Sequence, residues 1–147
     1  MAEITYPKVI EFKRVPTPED LADNYEPYCT SIADADHRNI VDPDSIVAPA
    51  SIKIRFSYPL TRKITIIVNE PAPITRSRFA QIIFQQYAKI YQEEDESTSI
   101  TPGELPGMYN RNHTNGKYGI WGHSIGDLDL VDATLSDSGV YNLAVDS

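Results

Sequence analysis

The most informative stretch of the chain is SIKIRFSYPLTRKITIIVN, residues 51–69. In 51–58, and again in 63–69, apolar side chains alternate with polar ones, which is typical of a strand with one buried face. Pro59 and Thr61 lie between the two runs and indicate a short turn. The stretch therefore predicts an antiparallel hairpin. Its predicted inward side chains are Ile52, Ile54, Phe56, Ile64, Ile66 and Val68.

A long helix is predicted directly after this hairpin. Thr75 is a suitable N-cap, because its hydroxyl can accept a hydrogen bond from an amide of the first turn. From there to about Glu94, apolar residues recur at spacings of three and four, which builds the stripe of an amphipathic helix. Acidic residues follow at 93–96, where the helix dipole disfavours anions, so we expect fraying into a solvated loop there. The stripe consists of Phe79, Ile82, Ile83, Tyr87 and Ile90.

The remaining segments are predicted with less detail. Residues 97–117 are rich in turn formers and predict a long loop, and the alternating runs 127–134 and 140–145 predict a second hairpin. In the N-terminal third, 6–15 predicts one strand and Pro18 opens a short helix. Residues 28–50 are expected to form a surface loop, with one short turn or helix near 32–40.

This order of elements predicts an α+β fold, in which a helix packs on an antiparallel or mixed β-sheet. We expect a single domain over 1–147, in which an acidic N-terminal extension, 1–50, packs on a core formed by 51–147. The order within 51–147 resembles that of the ubiquitin-like β-grasp family. The chain departs from that family in the length of its loop and in ending Val145-Asp146-Ser147 rather than in a diglycine, so conjugation through the C-terminus is not expected.

Composition excludes several classes of protein. One cysteine among 147 residues cannot form an internal disulfide, and no apolar run approaches the ~18 residues of a membrane span. The net charge of −8 argues against a protein that coats nucleic acid. The absence of a secretion signal and the lone Cys29 lead us to expect a cytoplasmic protein.

No catalytic or metal-binding motif stands out. His123, Ser124 and Asp127 are the residue types of a nucleophilic triad. The side chains of close neighbours in a chain point in different directions, whereas a triad is defined by its geometry. We therefore expect a non-enzymatic protein without cofactors. The alternative is a small hydrolase-like enzyme that uses His123 and a carboxylate in a cleft under the 97–117 loop. The acidic run around Asp34 and Asp44 lacks the glycine and glutamate of a calcium loop, and no metal site is predicted.

The run 108–123 concentrates aromatic residues and glycines. Tyr118 and Trp121 are candidate anchors of a protein-interaction surface, and His123 completes this predicted patch. The alternative is that Trp121 caps the core while the glycines form a bulge. The run is similar to segments in small uncharacterised proteins of large DNA viruses that infect amoebae. That resemblance implies a viral protein made in the host cytoplasm and associated with the virion, and it implies no activity.

The charge is unevenly distributed, since both ends of the chain are acidic and the middle is basic. Lys53, Arg55 and Lys63 are predicted on the outward face of the first hairpin. These side chains are candidates for binding an anion or nucleic acid. The alternatives are that they form a solvated face, or that they pair with the acidic ends of the same or another copy of the chain. From the sequence we predict a protein that acts through protein contacts and forms a homodimer. Binding of nucleic acid is a third hypothesis.

Overall fold

A computed structural model describes residues 5–103 and 111–147 of the chain. Met108, Tyr109 and Asn110, with which the aromatic run begins, lie outside the described residues. In chain order the elements are β1 (Val9–Glu11), α1 (Pro18–Ala22), β2 (Thr30–Ser31), β3 (Ile46–Ala48), β4 (Ser51–Phe56), β5 (Ile64–Asn69), β6 (Ile74–Thr75), α2 (Arg76–Ser97), a 3₁₀ turn (Ile125–Asp127), β7 (Asp129–Leu135) and β8 (Val140–Asp146).

The main sheet is mixed and confirms the α+β prediction. Its order is β1-β7-β8-β4-β5, with β2 also paired to β7. The predicted hairpins are present, because β4 pairs antiparallel with β5 and β7 pairs antiparallel with β8. The central pair, β4 and β8, is parallel, which makes the sheet mixed. Similarity to the β-grasp family stays a prediction.

The core lies between the sheet and one face of α2. The even-numbered side chains of β4 are buried while its odd-numbered ones are exposed, as the alternation predicts. Three aromatic contacts tie the layers together: Phe79 packs on both Phe12 and Tyr141, and Tyr87 meets Phe56 edge-on with ring centroids 5.2 Å apart. Such pairs add to the stabilisation from burying large apolar side chains.

The N-terminal third contributes β1 and β2 to the main sheet, and it contributes β3 to a separate two-stranded sheet with β6. The prediction of one strand over 6–15 is confirmed only for Val9–Glu11, where β1 forms, and Pro18 opens α1 as expected. The prediction of a loop over 28–50 is wrong in part, because β2 pairs with β7 and β3 pairs with β6. These strands have only two or three residues, so they give no period that the sequence could reveal.

Among the described residues, no helix has the length and apolar character needed to cross a membrane.

Candidate functional site

The aromatic run is organised around a buried carboxylate. Glu94, near the end of α2, has no solvent exposure, and α2 continues to Ser97. The expectation that the helix frays at 93–96 is therefore wrong. The dipole penalty at this position is outweighed because the carboxylate accepts hydrogen bonds from the chain that returns beside it.

Those hydrogen bonds come from one short segment, 114–120. The Thr114 hydroxyl donates to Oε2 of Glu94 at 2.6 Å. Four backbone amides donate to the two carboxylate oxygens at 2.8–3.2 Å. A ring of amides around one anion is a compact way of fixing a loop, since each bond satisfies a buried donor. These amides belong to Gly116, Tyr118, Gly119 and Ile120.

The same contacts set the charge state of Glu94. Burial by itself raises the pKa of a carboxyl group, because it disfavours the charged form. The Thr114 hydroxyl and the backbone amides stabilise the anion more strongly, and the pKa of Glu94 lies below its ordinary value. Glu94 is therefore ionised at neutral pH and acts as a structural anion.

The loop is also fastened to the turn of the first hairpin. Thr61 N donates to Gly119 O at 2.8 Å, and Arg62 N donates to Tyr118 O at 2.9 Å. The Arg62 guanidinium donates to the carbonyls of Gly116 and Lys117. Residues 59–62 and 118–121 thus run side by side, and the aromatic run is fixed to the β4–β5 hairpin.

The two predicted aromatic anchors differ in burial. Tyr118 is only 3 % exposed and belongs to the core, whereas Trp121 is 40 % exposed. Tyr118 therefore supports the loop from inside, and Trp121 offers part of its indole to the surface.

Trp121, Tyr58 and His123 form a half-exposed aromatic cluster. Tyr58 meets Trp121 edge-on at 5.2 Å between ring centroids, and the His123 ring lies 5.6 Å from Tyr58 and 6.0 Å from Trp121. The sequence did not indicate Tyr58, because it lies 63 positions before Trp121 in the chain. The cluster packs against the core and is partly exposed to solvent, so it has features of both an aromatic cap on the core and an exposed surface.

His123 is held in place by packing. Its Nδ1 lies 3.7 Å from Oδ2 of Asp127, and that oxygen accepts the Ser124 N–H at 3.1 Å. Within the described residues the Ser124 hydroxyl makes no hydrogen bond to the imidazole. The geometry of a nucleophilic triad, in which a base contacts the hydroxyl, is not assembled by these side chains.

The acidic segment 34–44 makes local contacts. His37 shares a hydrogen bond of 2.7 Å with the Ser77 hydroxyl, and Asp44 pairs with Arg38. In the parts of the chain that the structure covers, no group of three or more His, Cys, Asp or Glu side chains is placed to hold a metal ion.

The basic residues of the middle segment divide into two groups. Arg62 holds the loop, Arg76 donates to the Asp42 carbonyl at 2.8 Å, and Arg78 pairs with Glu70. A second group makes no ion pair with any described residue, and its members are exposed on or beside the outer face of the hairpin. These are Lys53, Arg55 and Lys63.

The free edge of the sheet is the surface that sequence reasoning missed. Within the described residues β5 pairs only with β4, so one side of this strand is open. It has the sequence Ile-Thr-Ile-Ile-Val-Asn and carries no charge, and Ile67 is 70 % exposed. Alternation indicated the strand, but an edge position depends on the order of strands in the sheet, which the local pattern does not show.

The core-facing side chains of β5 are incompletely covered. Ile54 and Phe56 of β4 are fully buried, whereas their cross-strand partners Ile66 and Ile64 remain half-buried. Val68 is half-buried as well. The apolar layer therefore extends past the last strand, as it would if one more strand belonged there.

Comparisons of the chain with family models, with curated proteins and with solved structures gave no match.

Proposed function

We propose that this is a non-enzymatic protein that acts through protein contacts and self-associates as a homodimer. The observation that carries the proposal is the open, uncharged edge of β5 with its half-buried apolar row. Exposed strand edges of this kind are templates for pairing with another chain, and proteins that avoid pairing usually place charges or proline there. Neither is present between Ile64 and Asn69.

The remaining parts of the proposal have separate support. The half-exposed Trp121 cluster is a second surface on which a protein partner can find an aromatic anchor. The similarity of the aromatic run to proteins of large DNA viruses of amoebae supports a viral, virion-associated protein made in the host cytoplasm. Each of these parts is independent of the homodimer.

Replacing the exposed Ile67 by Lys is expected to prevent self-association. A lysine on an edge strand opposes pairing with another chain, and here its charge would add to the positive charge of the outer face, where two copies would bring their basic side chains together. Sedimentation equilibrium should give twice the 16.5 kDa chain mass for the parent protein and the single mass for Ile67→Lys. The matched control is Ile46→Lys, which adds the same charge at a 55 % exposed isoleucine on β3 and should remain dimeric. A parent protein that is monomeric at high concentration would refute the homodimer.

Anion or nucleic-acid binding is the second candidate function, because Lys53, Arg55 and Lys63 form no ion pair with described residues and lie together on one hairpin. We expect Lys53→Glu combined with Arg55→Glu to weaken binding of a labelled single-stranded oligonucleotide by roughly tenfold or more at low salt, since phosphate contacts dominate such affinity. Fluorescence anisotropy would measure it. Lys8→Glu with Lys89→Glu makes the same change in net charge elsewhere and should bind like the parent. Equal losses in both variants, or no binding by the parent, would dismiss this function.

A further inference from the structure

We propose that the β5 strands of two copies pair antiparallel about a two-fold axis at Ile66, which joins their sheets into one continuous sheet. This inference rests on the proposed homodimer and specifies its interface. It follows from the hydrogen-bonding pattern of β5, from its half-buried side chains and from the charges at its two ends.

Some backbone groups of β5 are free to pair with another strand. Glu70 N donates to Ala50 O at 2.8 Å, and these residues continue the register in which Ser51 lies opposite Asn69. In antiparallel pairs, hydrogen-bonded and non-hydrogen-bonded positions alternate. The even-numbered residues of β5 therefore bond to β4. The N–H and C=O groups that point away from β4 belong to Thr65, Ile67 and Asn69.

The free groups restrict the register between two copies. Free groups must face free groups, so odd-numbered residues of one strand pair with odd-numbered residues of the other. An axis at Ile66 places Thr65 opposite Ile67 of the second copy, and Lys63 opposite its Asn69. This register uses the free groups of all three edge residues. An axis at Thr65 shortens the overlap, because it places Asn69 opposite Thr61. An axis at Ile67 also pairs the free groups of Thr65, Ile67 and Asn69, but it places Ile64 opposite Glu70 and so interrupts the apolar row.

The half-buried apolar row of β5 consists of Ile64, Ile66 and Val68. With the axis at Ile66, this residue meets its own counterpart in a non-hydrogen-bonded pair, where side chains approach most closely. Ile64 then lies opposite Val68 of the second copy. The side chains that a single copy leaves half-buried would cover one another, and the apolar layer would continue across the axis.

The charges at the ends of β5 favour one direction of pairing. The strand follows Arg62 and Lys63 and is followed by Glu70. Glu70 is already paired with Arg78, so the charge that matters is the cationic start of the strand. A parallel pair would bring two such starts together, whereas an antiparallel pair separates them. A two-fold axis through the sheet also keeps the two copies of α2 on the same side. Both sets of Lys53, Arg55 and Lys63 would then lie on the opposite face, near one another.

Single cysteines can test the register, in a Cys29→Ser background. Under mild oxidation we expect Ile66→Cys to form covalent dimers, because the two thiols would face each other across the axis at a distance a disulfide can bridge. Asn69→Cys is the matched control on the same strand. Its two copies would lie about 20 Å apart, since they are separated by six residues along the strands, and it should not cross-link.

Thr65→Cys and Ile67→Cys distinguish the neighbouring registers, because each would cross-link best if the axis passed through it. Cross-linking that is strongest at either position, or at Asn69→Cys, would overturn the proposed register. A dimeric mass without cross-linking at any of the four positions would refute the β5 interface and leave the homodimer standing. A monomeric mass would refute both.

A measurement on the parent protein covers the case in which Ile66→Cys does not fold. Hydrogen exchange should show that the amides of Thr65, Ile67 and Asn69 become more protected as protein concentration rises. Their protection should increase by tenfold or more between mostly monomeric and mostly dimeric samples, roughly in proportion to the dimer population. The amides of Ile64, Ile66 and Val68 bond within the chain and should change less. Equal exchange of Thr65, Ile67 and Asn69 at all concentrations, with a dimeric mass, would contradict the interface.

Discussion

Glu94→Gln is expected to lower the free energy of unfolding by about 3–5 kcal/mol. The amide would replace one acceptor oxygen by a donor, and that donor would face backbone N–H groups that have no other partner among the described residues. Buried donors without an acceptor are costly, because they have lost water and gained nothing in return. Urea denaturation at neutral pH would measure the change, and local loss of order in 114–120 should accompany it.

Glu96→Gln is the matched control for this substitution. Glu96 lies on the same helical turn, is exposed, and accepts a hydrogen bond only from Gln92 among the described residues. We expect its effect to be within about 0.5 kcal/mol. Similar losses in the two variants would show that the helix end, and not the buried carboxylate, explains the effect.

The pH dependence gives an independent check of the same carboxylate. Because the folded protein lowers the pKa of Glu94, its ionisation stabilises the fold fully above the ordinary value of 4.5. That stabilisation is lost as pH falls through the lower pKa of the folded state. The difference in stability between the parent and Glu94→Gln should therefore be largest above pH 4.5 and should narrow at more acidic pH. A difference that is constant with pH would argue against an ionised Glu94.

Gly116→Ala is expected to destabilise the fold by roughly 2–3 kcal/mol. A methyl group here would lie 2.5 Å from Ser97 Oγ and 2.8 Å from both the main-chain oxygen and Oε1 of Glu94. The hydroxyl can rotate away, but the helix carbonyl and the buried carboxylate are fixed, so the loop must move and lose hydrogen bonds. Thermal unfolding would show a lower midpoint.

Gly126→Ala separates this steric effect from the general effect of removing a glycine. No heavy atom lies within 4 Å of the position where its methyl group would be, apart from its chain neighbours. We expect a change of less than about 0.5 kcal/mol, in either direction. If Gly126→Ala were as harmful as Gly116→Ala, the close approach of the loop to α2 would not be the cause.

The sequence predictions are correct where they depend on the geometry of one element, and they are wrong where they depend on contacts between distant parts of the chain. The β4–β5 hairpin and the helix from Thr75 were predicted because alternation and the spacing of Phe79, Ile83 and Tyr87 are set by the backbone geometry of one element. The sequence predicts a solvated Glu94, because the hydrogen-bond donors that surround it reach the carboxylate only when residues 114–120 return to the helix. Likewise, no local pattern tells that Tyr118 is buried while Trp121 is exposed.

The candidate surfaces likewise depend in part on local sequence pattern and in part on tertiary packing. The alternating residues of the hairpin place Lys53 and Arg55 outward, and this follows from the chain alone. That they form no ion pair with described residues, whereas Arg78 meets Glu70, depends on the packing of α2 against the strands. The edge position of β5 depends on β8, which arrives from the far end of the chain and pairs with β4 on its other side. Local geometry fixes which side chains of a strand point together, but only the assembled sheet determines which strand is left without a neighbour.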